Sequence, residues 1–503
     1  MSNIPSEWEV IPLSEVIQTQ KGKKPENLGP RDEVRTVPYI TIAAFESKKV
    51  EVFAPEQDIP RCEPDDTLLV WDGARTGLCG RGVSGYVGST ITRVTSDLAN
   101  PSYLYHFLNS HYSTLNTQTK GVGIPHINPV VLNALEFPLP PLAEQTRIVE
   151  KNEELLSDLD AGVAELKAAQ KKLAQYRQSL LKSAVEGALT AEWRTKNKPK
   201  ETGAQLLERI LKERRVRWEE KQLARFKEQG KTPPKGWQDK YPEPVQPDTT
   251  NLPELPEGWF YSELEALIPP DKTGTKTGPF GSLLKKHEHK SSGIPVVGIE
   301  NIDRMKFIPG SKIHITESKS RELSEYDLLA GDVVISRSGT VGEVCVIPDY
   351  LGIARFSTNI MRVRLNYQVI LPDYFCLLLN GSPFVLQQIR KLCSGSTRDF
   401  LNTEILMSII FLVPPINEQH KIILALYVSL QEVETQNNAI LQSLTQAAAQ
   451  RKNILKTAFS GQLVSQNPDD EPASVLLERI REERKTSIKT SKKTVTPRRK
   501  PSC

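Results

Sequence analysis

Two stretches of the chain carry apolar residues at helical spacing over an unusual length. After Pro141 a four–three alternation runs through Ile148, Leu155, Leu159, Leu166, Ala169, Leu173, Tyr176 and Leu180, with Asn152 and Gly162 in the same seam. After Pro415 it runs through Ile423, Leu426, Leu430, Val433, Ile440, Leu444, Ala447 and Ile454, interrupted by Asn437 and Arg451. More than four heptads of this spacing predict a coiled coil, in which a polar seam residue costs stability and fixes register. The helix from Ile148 to Leu180 would span roughly 50 Å at 1.5 Å per residue. One such helix alone would leave an uncovered apolar stripe, so the two are expected to pack on each other, antiparallel about a pseudo-two-fold axis. Pairing between two copies of the chain is the alternative.

The segments before each helix have a different pattern. Short β-rich runs such as Thr67–Trp71, Asp332–Ser336 and Ile360–Leu365 are separated by Gly, Pro and Asn, which reads as mixed β structure. Tyr103–Leu108 and Tyr374–Leu379 are too apolar for loops and follow a proline, so each is expected to be a short buried helix.

The chain is written twice. LPPLAEQ at Leu139–Gln145 returns as VPPINEQ at Val413–Gln419, 274 residues later, and SAVEGAL at Ser183–Leu189 returns as TAFSGQL at Thr457–Leu463. LLERI at Leu206–Ile210 recurs unchanged at Leu476–Ile480. The fronts correspond more loosely: Trp8 with Trp259, VPYI at Val37–Ile40 with IPVV at Ile294–Val297, and Asp66–Val70 with Asp332–Ser336. A divergent front and a closely repeated back fit two domains that read different targets on shared supports.

The expected fold class is α+β: two similar mixed α/β domains, separated by two long helices packed as an antiparallel coiled coil, in a pseudo-two-fold repeat. The boundaries are a first front domain at 1–141, a helical region at 142–230 and a linker at 231–257. A second front domain follows at 258–415, a second helical region at 416–484 and a basic tail at 485–503. The linker is Pro-rich and polar and reads as stiff and extended. The tail is basic and poor in apolar residues, which predicts disorder.

Composition narrows the picture. The 503 residues are enough for several domains, and a hydrophobic fraction of 38% is low for one compact globule. The net charge of +4 is too small to indicate a nucleic-acid partner by itself. The six cysteines include no C-x-x-C pair, which fits reduced thiols. No leader-like N-terminus and no run of about 18 apolar residues is visible, so a cytoplasmic protein with no membrane segment is expected.

The search for catalytic motifs returns little. There is no phosphate-binding P-loop and no complete G-x-G-x-x-G. His287-Glu288-His289 lacks an evident third metal ligand. Asp271 with Glu317 and Lys319 is a loose version of a Mg²⁺-dependent nuclease set, but Glu317 reads equally well as a helix start. No cofactor is expected on this chain.

Candidate binding loops recur in register in both fronts. Lys21, Lys23 and Lys24 match Lys272 and Lys276, which continue into Ser282, Lys285 and Lys286. Arg75 and Thr76 follow one matched strand, and Arg337 and Ser338 follow the other. Lys120 and His126 match Ser396, Thr397 and Arg398, shortly before the Pro-Pro strings. Lys neutralises phosphate, Ser and Thr donate to phosphate or base edges, and an exposed Arg can bond guanine in bidentate fashion.

The doubled Pro-Pro-x-x-Glu-Gln motif, each copy behind a Trp-headed domain and leading into a long helix, resembles the DNA specificity subunit of type I restriction–modification systems. The resemblance covers nearly the whole chain. Thr190-Ala191-Glu192 also fits the family pattern, whereas the second copy departs from it at Leu463-Val464-Ser465. The resemblance implies a non-catalytic subunit whose two target-recognition domains each read half of an asymmetric bipartite site in double-stranded DNA. It implies helices that set the spacer and dock two methyltransferase subunits, joined by two ATP-driven restriction subunits. Pro141, Glu144, Gln145, Pro415, Glu418 and Gln419 are then expected at the partner interface. S-adenosylmethionine, ATP and Mg²⁺ would belong to the partners. A stand-alone methyltransferase or nuclease with its own recognition domains is the alternative.

Overall fold

The computed structural model describes residues 4–121, 123–270, 273–279, 283–337, 342–393 and 401–493, with side chains to 486. The chain forms two compact units, one of residues 1–168 with 440–503 and the other of residues 169–439. Each unit holds one front domain and a stretch of each long helix.

The first front domain contains two four-stranded sheets. One is ordered Ile17–Lys21, Ile91–Ser96, Thr67–Val70, Cys79–Gly80, and the other Phe53–Ala54, Val37–Ile40, Gly85–Val87, Arg61–Cys62. Glu9–Pro12 pairs antiparallel with Glu136–Leu139 and closes the domain. The second front domain repeats this strand for strand. Its sheets run Thr275–Thr277, Ile360–Val363, Val333–Ser336, Val344–Val346 and Ile313–Ile315, Ile294–Val297, Ala354–Phe356, Asp327–Leu328. Phe260–Glu263 pairs with Ile410–Val413 as the closing ribbon. The second sheet of each domain holds one parallel pair, Val37–Ile40 with Gly85–Val87 and Ile294–Val297 with Ala354–Phe356. The expected short helices are Pro101–Ser110 and Pro372–Gly381, both largely buried.

One hairpin has no counterpart in the described residues of the first front. Ile302–Asp303 pairs with Lys306–Phe307 around a two-residue turn, Arg304-Met305. Both turn residues have left-handed backbones, with φ of 44° and 70°. Such turns favour Asn-Gly, and other residues pay roughly 1–2 kcal/mol each for the left-handed conformation.

The long helices are Leu142–Val185 and Ile416–Ala458. They run antiparallel within each unit. In the first unit Asp160 pairs with Arg451, and Ile148 and Val149 share a core with Ala458. In the second, Gln170 donates to Asn437 at 3.4 Å, and Thr190 and Arg194 reach Glu418. The seam is buried at Ile148, Leu173, Leu180, Leu426, Val433 and Ile454, but Tyr176 is 54% exposed, because two strands of coil cannot enclose every seam position.

Each long helix begins at a repeated clasp. Glu144 Oε2 accepts from the Trp8 indole N–H at 2.9 Å, and Glu418 Oε2 accepts from Trp259 at the same distance. Gln145 accepts from the Asn100 N–H at 2.7 Å and donates to the carbonyls of Leu98 and Pro140. Gln419 likewise accepts from Leu371 N–H at 2.8 Å and donates to Val369 and Pro414. Each clasp is completed from the other half of the sequence. Gln466 donates to Glu144 at 2.7 Å, and Gly461 lies against Trp8. Thr190 and Arg194 donate to Glu418, and Gly187 lies against Trp259. Both glycines have φ above 70°, so backbone conformation and close approach each exclude a side chain there.

Beyond the clasps, helix Gly203–Glu228 packs on the second front domain, and Ala473–Lys493 packs on the first through Arg481 to Glu15 and Arg484 to the Glu15 carbonyl. The ion pair Arg209–Glu201 recurs as Arg479–Glu471.

Two segments differ from expectation. The last helix continues to Lys493, into residues whose composition predicts disorder, because Arg481 and Arg484 anchor it upstream. The linker is not simply extended: Trp237 stacks on Trp218, and Tyr241 accepts from Arg214 at 2.9 Å, folding it back along helix Gly203–Glu228. Among the described residues, no helix is long and apolar enough to cross a membrane.

Removing Glu418 leaves Arg194 without its carboxylate in a buried site, a loss of roughly 3–5 kcal/mol. Glu144 receives hydrogen bonds from neutral donors, Trp8 and Gln466, so its removal costs about 1–3 kcal/mol. Denaturant unfolding followed by tryptophan fluorescence therefore shows Glu418→Ala more damaging than Glu144→Ala. A second expectation concerns His106. Burial lowers its pKa from 6.5 to about 4, against the partial opposition of Glu153 and with help from Arg81 and Arg451. Neutral His106 therefore contributes stability that is complete above pH 6.5 and lost as pH falls through about 4, worth at most about 3 kcal/mol. His106→Phe flattens the stability profile between those values.

Candidate nucleic-acid interface

In the first front domain the three expected loops converge. Lys21 ends the strand Ile17–Lys21, and its ammonium lies 2.9 Å from Asp72 Oδ2. The other carboxylate oxygen of Asp72 meets His126 Nδ1 at 2.6 Å. Backbone bonds join the same loops: Gly73 N–H donates to Pro125, and Ile127 N–H to Trp71. Lys120 and His126 exchange backbone hydrogen bonds, holding the third loop as a closed turn. Asp72 sits between Lys21 and His126 with its side chain only 15% exposed. Its pKa is lowered: burial opposes this, and the hydrogen bonds and charges of His126 and Lys21 outweigh it.

Around this junction Lys21, Lys23, Lys24, Lys120 and His126 are exposed. Arg75 is exposed too, and Glu46 of the short helix Ile42–Ser47 holds its guanidinium through both oxygens. Thr76 is fully buried and donates to the Gly73 and Pro125 carbonyls, so it shapes the loop. Asp72 is the residue that sequence reasoning passed over. A carboxylate does not suggest phosphate binding until Lys21 and His126 are seen on its two oxygens.

The second front domain is partly outside the described residues, and so are the expected sites Lys272, Ser282, Ser338, Ser396, Thr397 and Arg398. Thr277, Arg337 and Asn402, one from each matched loop region, line one cleft together with Glu263, Glu265 and Glu404. Lys276 reaches Glu325 at 2.7 Å and lies over the Tyr326 ring. Lys285 and Lys286 are exposed. Arg337 corrects an expectation. It is not presented to solvent but is 6% exposed, and it donates to the Leu401 carbonyl. The register explains this: Arg337 occupies the place of Trp71, whose backbone bonds its own repeat, so its side chain points inward. Burial lowers its pKa from the ordinary value.

The expected partner-interface residues are also placed inside the chain. Pro141, Glu144, Gln145, Glu418 and Gln419 are buried and Pro415 is half-buried, all within the clasps. Their carboxylates and amides are spent on bonds within the chain. Lys319, weighed for a nuclease, is committed to Glu288 and Glu322, and Asp271 lies outside the described residues. Among the described residues, no group of three or more His, Cys, Asp or Glu side chains is arranged to hold a metal ion.

The type I restriction modification DNA specificity domain model matches residues 5–174 and 280–446. The type I restriction enzyme EcoBI specificity subunit of Escherichia coli is 24% identical over 408 residues, covering 78% of this chain and 74% of its own. The MjaVIII specificity subunit of Methanocaldococcus jannaschii is 21% identical over 474 residues, covering 92% and 95%. A chain solved in a study of complex assembly and conformational transition of the type I R-M system superposes with a TM-score of 0.62 at 17% identity, covering 92% of this chain and 99% of its own. With two matches that together span more than half of its length, the chain belongs to the type I restriction–modification DNA specificity family.

Proposed function

We propose that this chain is the non-catalytic specificity subunit of a type I restriction–modification complex, and that each front domain reads one half of an asymmetric bipartite DNA site. The observation that carries this reading is the pair of front domains with one strand order and divergent loops, each built onto the same clasp. In the first domain Lys21, Lys23, Lys24, Lys120 and His126 would meet DNA, with Arg75 beside them. Lysines on exposed loops would supply phosphate contacts, and the side chains between them would reach base edges. The paired helices would fix the distance between half-sites.

Two methyltransferase and two ATP-driven restriction subunits would complete the assembly and carry S-adenosylmethionine, ATP and Mg²⁺. Docking would use the outer faces of the helices, since the Glu-Gln pairs are internal. Leu424, Tyr427 and Val428 share one face of the second long helix and are 58%, 61% and 51% exposed, more apolar surface than a solvated helix needs.

Methylation mapping tests the division of labour. Exchanging residues 1–141 for the front domain of a relative is expected to change one half-site and leave the other and the spacer intact. A change in both half-sites counts against separate reading. For docking, Tyr427→Lys is expected to reduce co-purification of the methyltransferase at least tenfold while the chain keeps its unfolding midpoint. Undiminished co-purification would move the docking face elsewhere.

A further inference from the structure

The hairpin at Ile302–Phe307 joins a strained turn to an uncommitted cation. Its base is anchored. Asn301 donates to the Ile308 carbonyl at 2.8 Å and Lys306 pairs with Glu434 at 3.3 Å, while in the turn Met305 bridges to Cys345. Its tip is anchored too, because the Arg304 N–H donates to Glu343 Oε2 at 3.1 Å. Glu343 is bonded to the end of the matched strand: its carbonyl accepts from Ser336, and Gly342 donates to the Ser336 carbonyl. The Arg304 side chain is exposed and makes no hydrogen bond or ion pair among the described residues. By contrast, Arg355, Arg362 and Arg364 of the same domain are tied to internal carbonyls and carboxylates.

The first front domain solves the same problem in reverse. There the segment after strand Val37–Ile40 is the helix Ile42–Ser47, and its Glu46 holds Arg75, which stands on the loop. In the second domain the segment after strand Ile294–Val297 carries the arginine, and the loop's far end carries the carboxylate. In both domains an arginine and a carboxylate tie this segment to the residues beyond the matched strand, through the guanidinium in the first and through the backbone N–H in the second. Asn-Gly would fit the turn without strain, yet Arg304-Met305 stands there in left-handed conformation.

We propose that Arg304, held beside Glu343 by its backbone N–H, is a phosphate-binding residue that fixes the register of the second front domain on DNA. The inference rests on the DNA-reading function proposed above. Guanidinium is planar and pre-organised for a phosphate's oxygens, and phosphate contacts position a protein without specifying sequence.

The test uses the full chain assembled with its methyltransferase and the target duplex found by methylation mapping. Binding is measured over a salt series. One lost phosphate contact lowers the slope of log K against log salt by about 0.9, so the affinity gap between wild type and Arg304→Ala is expected to shrink about threefold from 50 to 200 mM salt. Arg304→Lys should retain most of the slope, and the methylated sequence should not change. The double variant R304N/M305G should lose the same slope while unfolding at a higher temperature, which separates binding from folding. An unaltered slope in Arg304→Ala, while Lys21→Ala loses slope, overturns the assignment and leaves DNA reading intact. A relaxed methylation pattern overturns it in favour of a base contact. Absence of salt-dependent binding by the wild type overturns the underlying reading as well.

Discussion

The architecture depends on a buried carboxylate that accepts a hydrogen bond from a tryptophan indole, made once in each half. Glu144 and Glu418 stand in the first turns of the long helices, where the helix dipole favours negative charge. Burial works against the charge, and Glu144 is raised above its ordinary pKa by desolvation, partly offset by Trp8 and Gln466. Such a group persists only if every acceptor position is filled. That requirement draws Trp8 and Trp259 from the heads of the front domains and Gln466, Thr190 and Arg194 from distant sequence to the same points. Each front domain is thereby fixed to the start of one long helix and to the end of the other.

This explains why the two halves are similar in back and different in front. A clasp residue has several partners in a closed space, so a substitution must be matched by others at once. A loop residue such as Lys23 or Lys120 projects into solvent, and its replacement disturbs little. The sheets lie between these extremes. Their strands keep one order because Leu68, Leu69, Val334 and Ile335 are wholly buried, while the strand ends are free to carry different loops.

How much of this was legible in the sequence follows from the same physics. The long helices, the short buried helices and the doubling were readable, because periodicity and repeated strings are local signals. The convergence of Lys21 with His126 was readable only as two candidate loops; Asp72, which joins them, acts through neighbours 51 and 54 residues away that no local pattern brings near. The Glu-Gln pairs entered only through the family resemblance; their internal bonds were not legible, because their indole partners lie far away in sequence. Arg337 was misjudged for a related reason. The strand before it is buried on both faces, and Arg337 continues it through backbone pairing with Asn359 and Leu401, partners that only the fold brings near. Composition could not foresee the helix beyond Lys485, since its anchors, Glu15 and Asp97, are at the opposite end of the chain.

The polar residues in the helical seam gain a meaning from the proposed ruler role. An all-apolar seam of repeating heptads can slip by seven residues at little cost, because each apolar side chain finds a similar neighbour. A slip of seven residues moves one helix about 10 Å along the other. On DNA that is close to three base pairs at about 3.4 Å each. For a protein that measures a spacer, such a slip would mean a different target. Gln170 with Asn437 and Asp160 with Arg451 make the registers unequal: in each unit one polar contact is satisfied in the observed alignment and broken in the shifted one. Asn152, buried with its side-chain oxygen unpartnered, lowers stability at the same seam. Within each unit the helix pair thus gives up stability for a single register, the property the proposed ruler requires.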